Sequence, residues 1–543
     1  MWFLALLACM AVTTLITIHT RHILRKHGRK RVSPPQPPGP AGHPILGNLL
    51  YVIGPLRNNP HTALASLAQT YGPILSLRLG LTRTIVVVSS AAAAHEALAK
   101  NDAALASRLV PDTVHAMSYG ATSMVFLPSS NPLWKQDRVI MGARFSSGRG
   151  LDTIRPILEC HAGHLTEYLR ACSSTGMPVI IREAVNRTVL NVISNILFSE
   201  DVVDLRAPGA QPFRGLIVPV LEEWSKSNVS DAFPFLAPID HLLGSRRRIS
   251  IHLAKLFNFF DQEIVQRRLA RTSTNTGSEK NNDMLDILLA RQAMSKLTRQ
   301  EIITFLTVRM FIEYLFPLHV LYVRGMFICF ISIQDMFIAA SDTSTVTVQW
   351  AMAQLLRHPE KMEKVRHELR ACVGVGSNDF VKESDLDNLP YLHAVVKETL
   401  RLHPAVPLIP REVAADGVSL GGFPVPIGTG VVVNLWAIGR DPTVWPQSDK
   451  FMPERFLAAG AGDAVHFQVK DDYTYRPFGA GRRVCPGMDY ALRSVPLLLA
   501  SLVHKTEWRL PDGMAPEDID LNDRYGTVLN LATPLYVVPL STV

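Results

Sequence analysis

The stretch PFGAGRRVCPG, residues 477–487, sets the tightest limit on what this chain can build. Gly479, Gly481 and Gly487 let a short loop turn sharply and approach a flat ligand closely. Cys485 follows two arginines and precedes the apolar run MDYALRSVPLLLASLV, which reads as a helix. A helix N-terminus and nearby cations both favour thiolate over thiol, so Cys485 is a candidate metal ligand. The plain alternative is a buried cysteine in a glycine turn. The full pattern Phe478-x-x-Gly481-x-Arg483-x-Cys485-x-Gly487 is too specific for that.

The composition, 47% apolar and 19% charged over 543 residues, is globular and shows no repeat period. A net charge of +8 suggests nucleic acid at first sight. Six of those charges are Arg21, Arg25, Lys26, Arg29, Lys30 and Arg31, with no acid among residues 1–40, so the remainder is nearly neutral and no nucleic-acid partner is expected. Residues 2–18, WFLALLACMAVTTLITI, are uncharged and long enough to cross a bilayer core at roughly 1.5 Å per residue. Because the positive charges follow this run, residues 1–20 are expected to be an uncleaved transmembrane signal anchor with the body in the cytosol. Cys9, Cys160, Cys172, Cys329, Cys372 and Cys485 show no CxxC and no framework spacing, which suits a reducing compartment and argues against structural zinc. Asn186-Arg-Thr and Asn228-Val-Ser match the glycosylation pattern and are chance matches on a cytosolic body.

Residues 21–43 form a basic, then proline-rich linker, with SPPQPPGPAGHP at 33–44 as a stiff extended spacer. Residues 44–543 are expected to form one domain. NPHTALASLAQTYG predicts a helix ending at Gly72, ILSLRLG and RTIVVVS predict strands, and SSAAAAHEALAKND predicts a serine-capped helix. Helical periodicity then prevails to about residue 402, broken by loops near 109–133, 205–213 and 272–283. Proline- and glycine-rich short strands follow from residue 404, and a helix after Gly487 and strands near 528–538 close the chain. The fold class is mostly α with a minor β-sheet region.

Three further landmarks carry chemistry. KETLR sets Glu398 and Arg401 at i and i+3 on one helix face, where an ordinary exposed pair contributes only about 0.2–0.5 kcal/mol. AASDTS, residues 339–344, holds an acid–alcohol pair, Asp342–Thr343, and WKQDR holds Trp134 and Arg138. With the cysteine signature, these landmarks resemble the cytochrome P-450 family of haem-thiolate monooxygenases over essentially the whole chain. The resemblance implies the P-450 fold and a haem b whose iron takes Cys485 as its axial ligand, in a loop shaped by Phe478 and Gly481. It implies haem propionates met by Arg483, Trp134, Arg138 and Arg411 of PREV. Glu398 and Arg401, joined by Arg455 of FMPERF, are implied to form a trio that supports the cysteine loop. Asp342 and Thr343 are implied to relay protons to dioxygen, although the family usually has glycine where this chain has Ala340.

The implied reaction takes electrons from NADPH through NADPH–cytochrome P-450 reductase and inserts one atom of O2 into a substrate, the other leaving as water. By the same resemblance, the pocket draws on residues 109–128, 205–240, 335–344, 403–411 and 526–533. HPAVPLIPR and GTVLNLAT are aliphatic, which fits an apolar small molecule. The anchor, the prolines and the form of the cysteine loop resemble plant microsomal enzymes of the family of monoterpenol hydroxylases and cereal diterpenoid phytoalexin oxidases. A terpenoid substrate and a single-pass endoplasmic reticulum membrane location are therefore expected. A haem-thiolate enzyme that rearranges hydroperoxides without O2 or reductase is an alternative, against which Asp342–Thr343 and the anchor argue.

One stretch does not fit. TVRMFIEYLFPLHVLYVRGMFICFISIQD, residues 307–335, interrupts what otherwise reads as one long helix. Arg309, Glu313, Arg324 and Pro317 make it a poor membrane span, and it contains nothing that the chemistry requires. Removing residues 308–334 joins LTRQEIITFLT to DMFIAASDTSTVTVQW in the family's usual manner. A valine codon begins GT and a glutamine codon can be CAG, so Val308 to Gln334 has the ends of a retained, frame-preserving intron. A genuine insertion, or a catalytically impaired or inactive haem protein, stays open beside that reading.

Overall fold

The alternation in ILSLRLG and the β-branched run of RTIVVVS produce strands β1 (Ile74–Leu79) and β2 (Arg83–Val88), an antiparallel pair with Ile74 opposite Val88. Strands β3 (Leu408–Glu412) and β4 (Gly430–Asn434) complete a sheet of spatial order β1-β2-β4-β3. Strand β2 runs parallel to β4, and β3 runs antiparallel to β4 with Arg411 opposite Val431. These are features of a computed structural model that describes residues 35–53, 58–81, 83–206, 212–225, 229–233, 244–260, 283–287, 324–374, 380–457 and 472–541, with Leu56 and Asp240 besides. The expected anchor, the basic part of the linker and most of the loop 272–283 lie outside those residues. No helix of the described residues is long and apolar enough to cross a membrane.

Residues 37–40, expected to belong to the spacer, are part of the body. The carbonyls of Pro37 and Pro38 accept from Ser76 Oγ and N at 2.8 and 2.7 Å, and that of Pro40 accepts from Asn48 Nδ2 at 2.9 Å. Proline cannot donate to a sheet but keeps its carbonyl, so the segment docks on β1 by its acceptors.

The helical body comprises α1 (Pro60–Tyr71), α2 (Pro132–Phe145), α3 (Gly148–Thr175), α4 (Ile181–Phe198), α5 (Pro212–Ser225), α6 (Ser245–Phe259), α7 (Arg324–Arg357), α8 (Pro359–Val373), α9 (Pro390–Leu402) and α10 (Met488–Val503). Ser147 caps α3, its hydroxyl accepting from Gly150 N, and Gly176 ends it at φ 65. Helix α4 is buried on most of its faces, polar Asn186, Thr188, Asn191 and Ser194 included, and lies along α7. The sequon at Asn186 falls in this contact, where Asn186 is buried and donates to Thr345 Oγ1 at 3.3 Å. The loop expected near 109–133 contains a tight helix, Asp112–Ala121, before α2 begins at Pro132. Helix α7 starts inside the anomalous stretch at Arg324 and passes the Gln334–Asp335 junction without a break.

The Glu398–Arg401–Arg455 trio is a packing device. Arg401 Nε and Nη2 donate to the two Glu398 oxygens at 2.7 and 2.8 Å, and Arg455 Nε donates to Glu398 Oε1 at 3.1 Å. The Glu398 and Arg401 side chains are fully buried. The remaining donors of Arg401 go to the carbonyls of Gly439, Ser448 and Lys450 at 2.5, 2.7 and 3.1 Å. The trio thus grips residues 439–452 and not the cysteine loop itself. Beside the trio, Tyr475, two residues before that loop, donates its hydroxyl to the Lys397 carbonyl at 2.9 Å. Arg401→Leu strips Glu398 of its bidentate partner and is expected to cost about 3–5 kcal/mol. Thermal unfolding measures this, and an unchanged melting temperature contradicts a buried clamp.

Candidate active site

The cysteine loop is pinned residue by residue. Gly479 and Gly481 stand at φ 71 and 68, in the left-handed region that a side chain disfavours. Gly487 does not share that need, standing at φ −97 with open space where a Cβ would lie. Cys485 N donates to the Phe478 carbonyl at 3.0 Å, and Val484 N donates to Gly481 O at 3.0 Å. Arg138 of α2 donates through Nη1 to the Val484 carbonyl at 2.7 Å. Arg483 is held by three backbone carbonyls, with Nε on Ala106 at 2.7 Å, Nη1 on Met124 at 3.1 Å and Nη2 on Leu127. Trp134 lies between the two cations, its ring 5.7 Å from Arg138 and 4.9 Å from Arg483.

Around Cys485 the fold gathers positive charge. Arg411 is buried on β3, and Arg108 arrives from the segment before the Asp112–Ala121 helix. Burial pushes Arg108 down to about 10 against the pull of Cys485. Burial and then repulsion from Arg108 and Arg483 bring Arg411 to about 9. Burial and repulsion from Arg108 and Arg138 do the same to Arg483, also to about 9. Arg108 Nε is buried without a partner. For Cys485, burial outweighs the Gly487 N–H, Arg138 and Arg108, so the thiol is pushed up and not down as the helix-terminus argument predicts. A bound metal cation would favour the thiolate instead.

Asp342 and Thr343 sit on α7. Asp342 Oδ1 lies 3.4 Å from Arg182 Nη2 of α4, and Thr343 Oγ1 donates to the Ala339 carbonyl at 2.7 Å. The segments expected to line a pocket are tied to the same helix. Trp350 stacks on His403 at 3.8 Å between ring centres and donates to the Leu529 carbonyl at 2.8 Å, while Leu529 N reaches Ala405 O at 3.0 Å. On the other side Tyr119 and Ser123 donate to buried Asp335 at 2.5 and 2.8 Å, and Trp224 packs on Tyr119 and Phe126. His403 and Leu529 thus meet α7 at Trp350, Tyr119 and Ser123 meet it at Asp335, and Trp224 joins through Tyr119.

Sequence reasoning missed Arg108 and Arg182. Arg108 had a faint signal, a lone arginine in LASRLVP. Arg182 had none, because its partner is remote in sequence.

Several guanidiniums about one sulfur suit an anionic ligand beside a metal-binding thiolate, and this donor set fits the haem that the cytochrome P-450 resemblance implies. The sequence profile of the family described as Cytochrome P450 matches residues 37–312 and 330–538, and the chain belongs to that family. It is 41% identical to oryzalexin E synthase of Oryza sativa subsp. japonica over 100% of this chain and 98% of that one. It is 38% identical to ent-cassadiene C11-alpha-hydroxylase 1 of the same plant, over 98% and 97%. It is also 38% identical to geraniol 8-hydroxylase of Catharanthus roseus, over 93% of each chain. The chain is a cytochrome P450 monooxygenase, and the family implies haem iron on a cysteine thiolate, a redox partner, O2 and a small-molecule substrate.

Asp335 provides a pH test of the contact that ties α7 to Tyr119 and Ser123. Burial raises it from the ordinary 3.8 to about 7, although the hydroxyls of Tyr119 and Ser123 and the N–H groups of Val125 and Met124 favour the anion. The folded chain therefore holds a proton here that the unfolded chain releases, and stability falls as pH rises from about 4 to about 7. Asp335→Asn removes this dependence. The melting temperature of the variant relative to the parent is expected to climb across that interval, and a flat difference contradicts the assignment.

Proposed function

We propose that this chain is a membrane-anchored monooxygenase of the endoplasmic reticulum that hydroxylates a small apolar terpenoid, using O2 and electrons from NADPH–cytochrome P450 reductase. The observation that carries the reading is the arginine cradle around Cys485 in the same fold as the Asp342–Thr343 helix. Haem b, when bound, supplies oxygen activation favoured by thiolate donation. Arg108, Arg138, Arg411 and Arg483, with Trp134 between two of them, hold its carboxylates. Asp342 and Thr343 move protons inward, and Arg182 orients Asp342 for that task. The aliphatic segments 403–411 and 526–533 orient the substrate and exclude water. The names of two relatives specify hydroxylation of geraniol and of ent-cassadiene, both terpenoids, which supports the substrate class. The uncharged run 2–18 followed by six basic residues supports the anchor, with the body in the cytosol.

Residues 308–334 are an aberrant insertion that impairs the chain carrying it. The family profile skips residues 313–329, between its two matched stretches. Gln334, the last residue of the block, is fully buried with neither amide atom hydrogen-bonded. An orphaned buried amide costs about 1–3 kcal/mol per polar group. In the shorter chain Thr307 stands beside Asp335 instead.

The test compares the full chain with the form lacking residues 308–334, each with reductase, NADPH and either geraniol or ent-cassadiene. The shorter form is expected to give a thiolate-type CO spectrum and NADPH-dependent hydroxylation, with the full chain at least tenfold weaker. Cys485→Ser should abolish the spectrum. Equal activity of both forms means that the insertion is harmless. Turnover of a hydroperoxide without NADPH would sink the monooxygenase reading.

A further inference from the structure

Asp102 belongs to the predicted serine-capped helix and carries no chemistry by sequence pattern. In the structure, Ser90 caps Ala91–His95, the helix widens over Glu96–Lys100, and the chain then turns tightly, with Leu105 N on Asn101 O at 2.9 Å. The turn is anchored from outside. Asn101 Nδ2 donates to the Ser419 carbonyl at 3.2 Å, and Glu96 Oε2 accepts from Gly421 N at 2.7 Å. Asp102 is therefore held on a fixed platform beside the cysteine loop.

From there Asp102 Oδ1 accepts the backbone N–H of Arg482 at 2.9 Å, while Oδ2 lies 3.3 Å from Arg482 Nε. The Arg482 side chain is 57% exposed, so the second contact is a screened surface pair of small worth. The amide contact is of another kind. It fixes the residue between Gly481 and Arg483, three positions before the sulfur. A Cβ at Gly481 would overlap Asp102 Oδ1, so the glycine admits the carboxylate as well as the positive φ. Four residues further on, the Ala106 carbonyl takes Arg483 Nε at 2.7 Å. One short segment, 102–106, thus holds two successive residues of the loop by two independent bonds. Asp102 also brings negative charge close to the cradle, where it pulls Arg411 upward against burial and its fellow arginines.

We propose that Asp102 is a positioning residue for the haem thiolate: it fixes the height of the Cys485 loop through the Arg482 N–H and offsets part of the positive field of the arginine cradle. The first role needs an acceptor oxygen at position 102, and the second needs a negative charge. Asparagine and alanine separate them. The inference rests on Cys485 being the haem ligand, and the parent protein's own CO spectrum tests that separately.

The experiment uses haem-loaded protein lacking residues 308–334, or the full chain if that alone loads haem, with variants Asp102→Asn, Asp102→Ala and Arg482→Ala. Two quantities are read: the rate at which the thiolate-type CO band converts to the short-wavelength type in urea, and the haem midpoint potential. Asp102→Asn should convert within about twofold of the parent but show a more positive potential, because an anion near the haem is gone. Asp102→Ala should share the positive shift and convert at least tenfold faster. Arg482→Ala keeps the N–H and should convert like the parent. If Asp102→Ala loads no haem, the potential of Asp102→Asn and the conversion rate of Arg482→Ala decide. A parent-like potential in Asp102→Asn, parent-like conversion in Asp102→Ala, or fast conversion in Arg482→Ala overturns the proposal.

Discussion

Positive charge packed around a single sulfur is the constraint to which most of this fold answers. Arg108, Arg138, Arg411 and Arg483 come from four separate stretches, and burial costs each of them solvation. They stay charged at neutral pH because even the most depressed remains at about 9. Such a cluster is tolerable only around anions. Among the described residues Asp102 brings negative charge to Arg411, and a ligand with carboxylates would add more. The backbone carbonyls on Arg483 and the Trp134 ring hold the guanidiniums in place without neutralising them.

The distal side follows a different rule, based on ties between remote segments and one long helix. Trp350 and Asp335 sit at separated points on α7, the first tied to His403 and Leu529 and the second to Tyr119 and Ser123. Asp342 lies between them, so the acid–alcohol pair is carried on a helix anchored at both ends. The block 308–334 ends immediately before the first of these anchors, and α7 runs through that junction unbroken.

Much of the fold and part of the site were legible in the sequence because local patterns encode them. The strands at 74–79 and 83–88, the serine cap at Ser90 and the helix after Gly487 follow from periodicity and capping chemistry. Glu398 and Arg401 are close in sequence, and their pairing needs only one turn of helix. The trio's grip on residues 439–452 was not legible, since that depends on which backbone carbonyls tertiary packing presents to Arg401. Arg108, Arg182 and Asp102 were missed for the same reason. Each gains meaning from a partner more than one hundred residues away, and only Arg108 has even a faint local mark, a lone arginine in LASRLVP. The thiol argument failed on a matter of balance: burial, invisible in sequence, outweighs nearby cations and amides.

The docking of Pro37 and Pro38 on Ser76 bears on how the body is carried. A tether that merely touched a domain would let it swivel, and its reach would grow with its length. Here Pro37, Pro38 and Pro40 are fastened to Ser76 and Asn48, so residues 37–40 move with the sheet and add nothing to the reach of a tether. Under the proposed anchoring, these residues are therefore a fixed part of the load and not part of the leash.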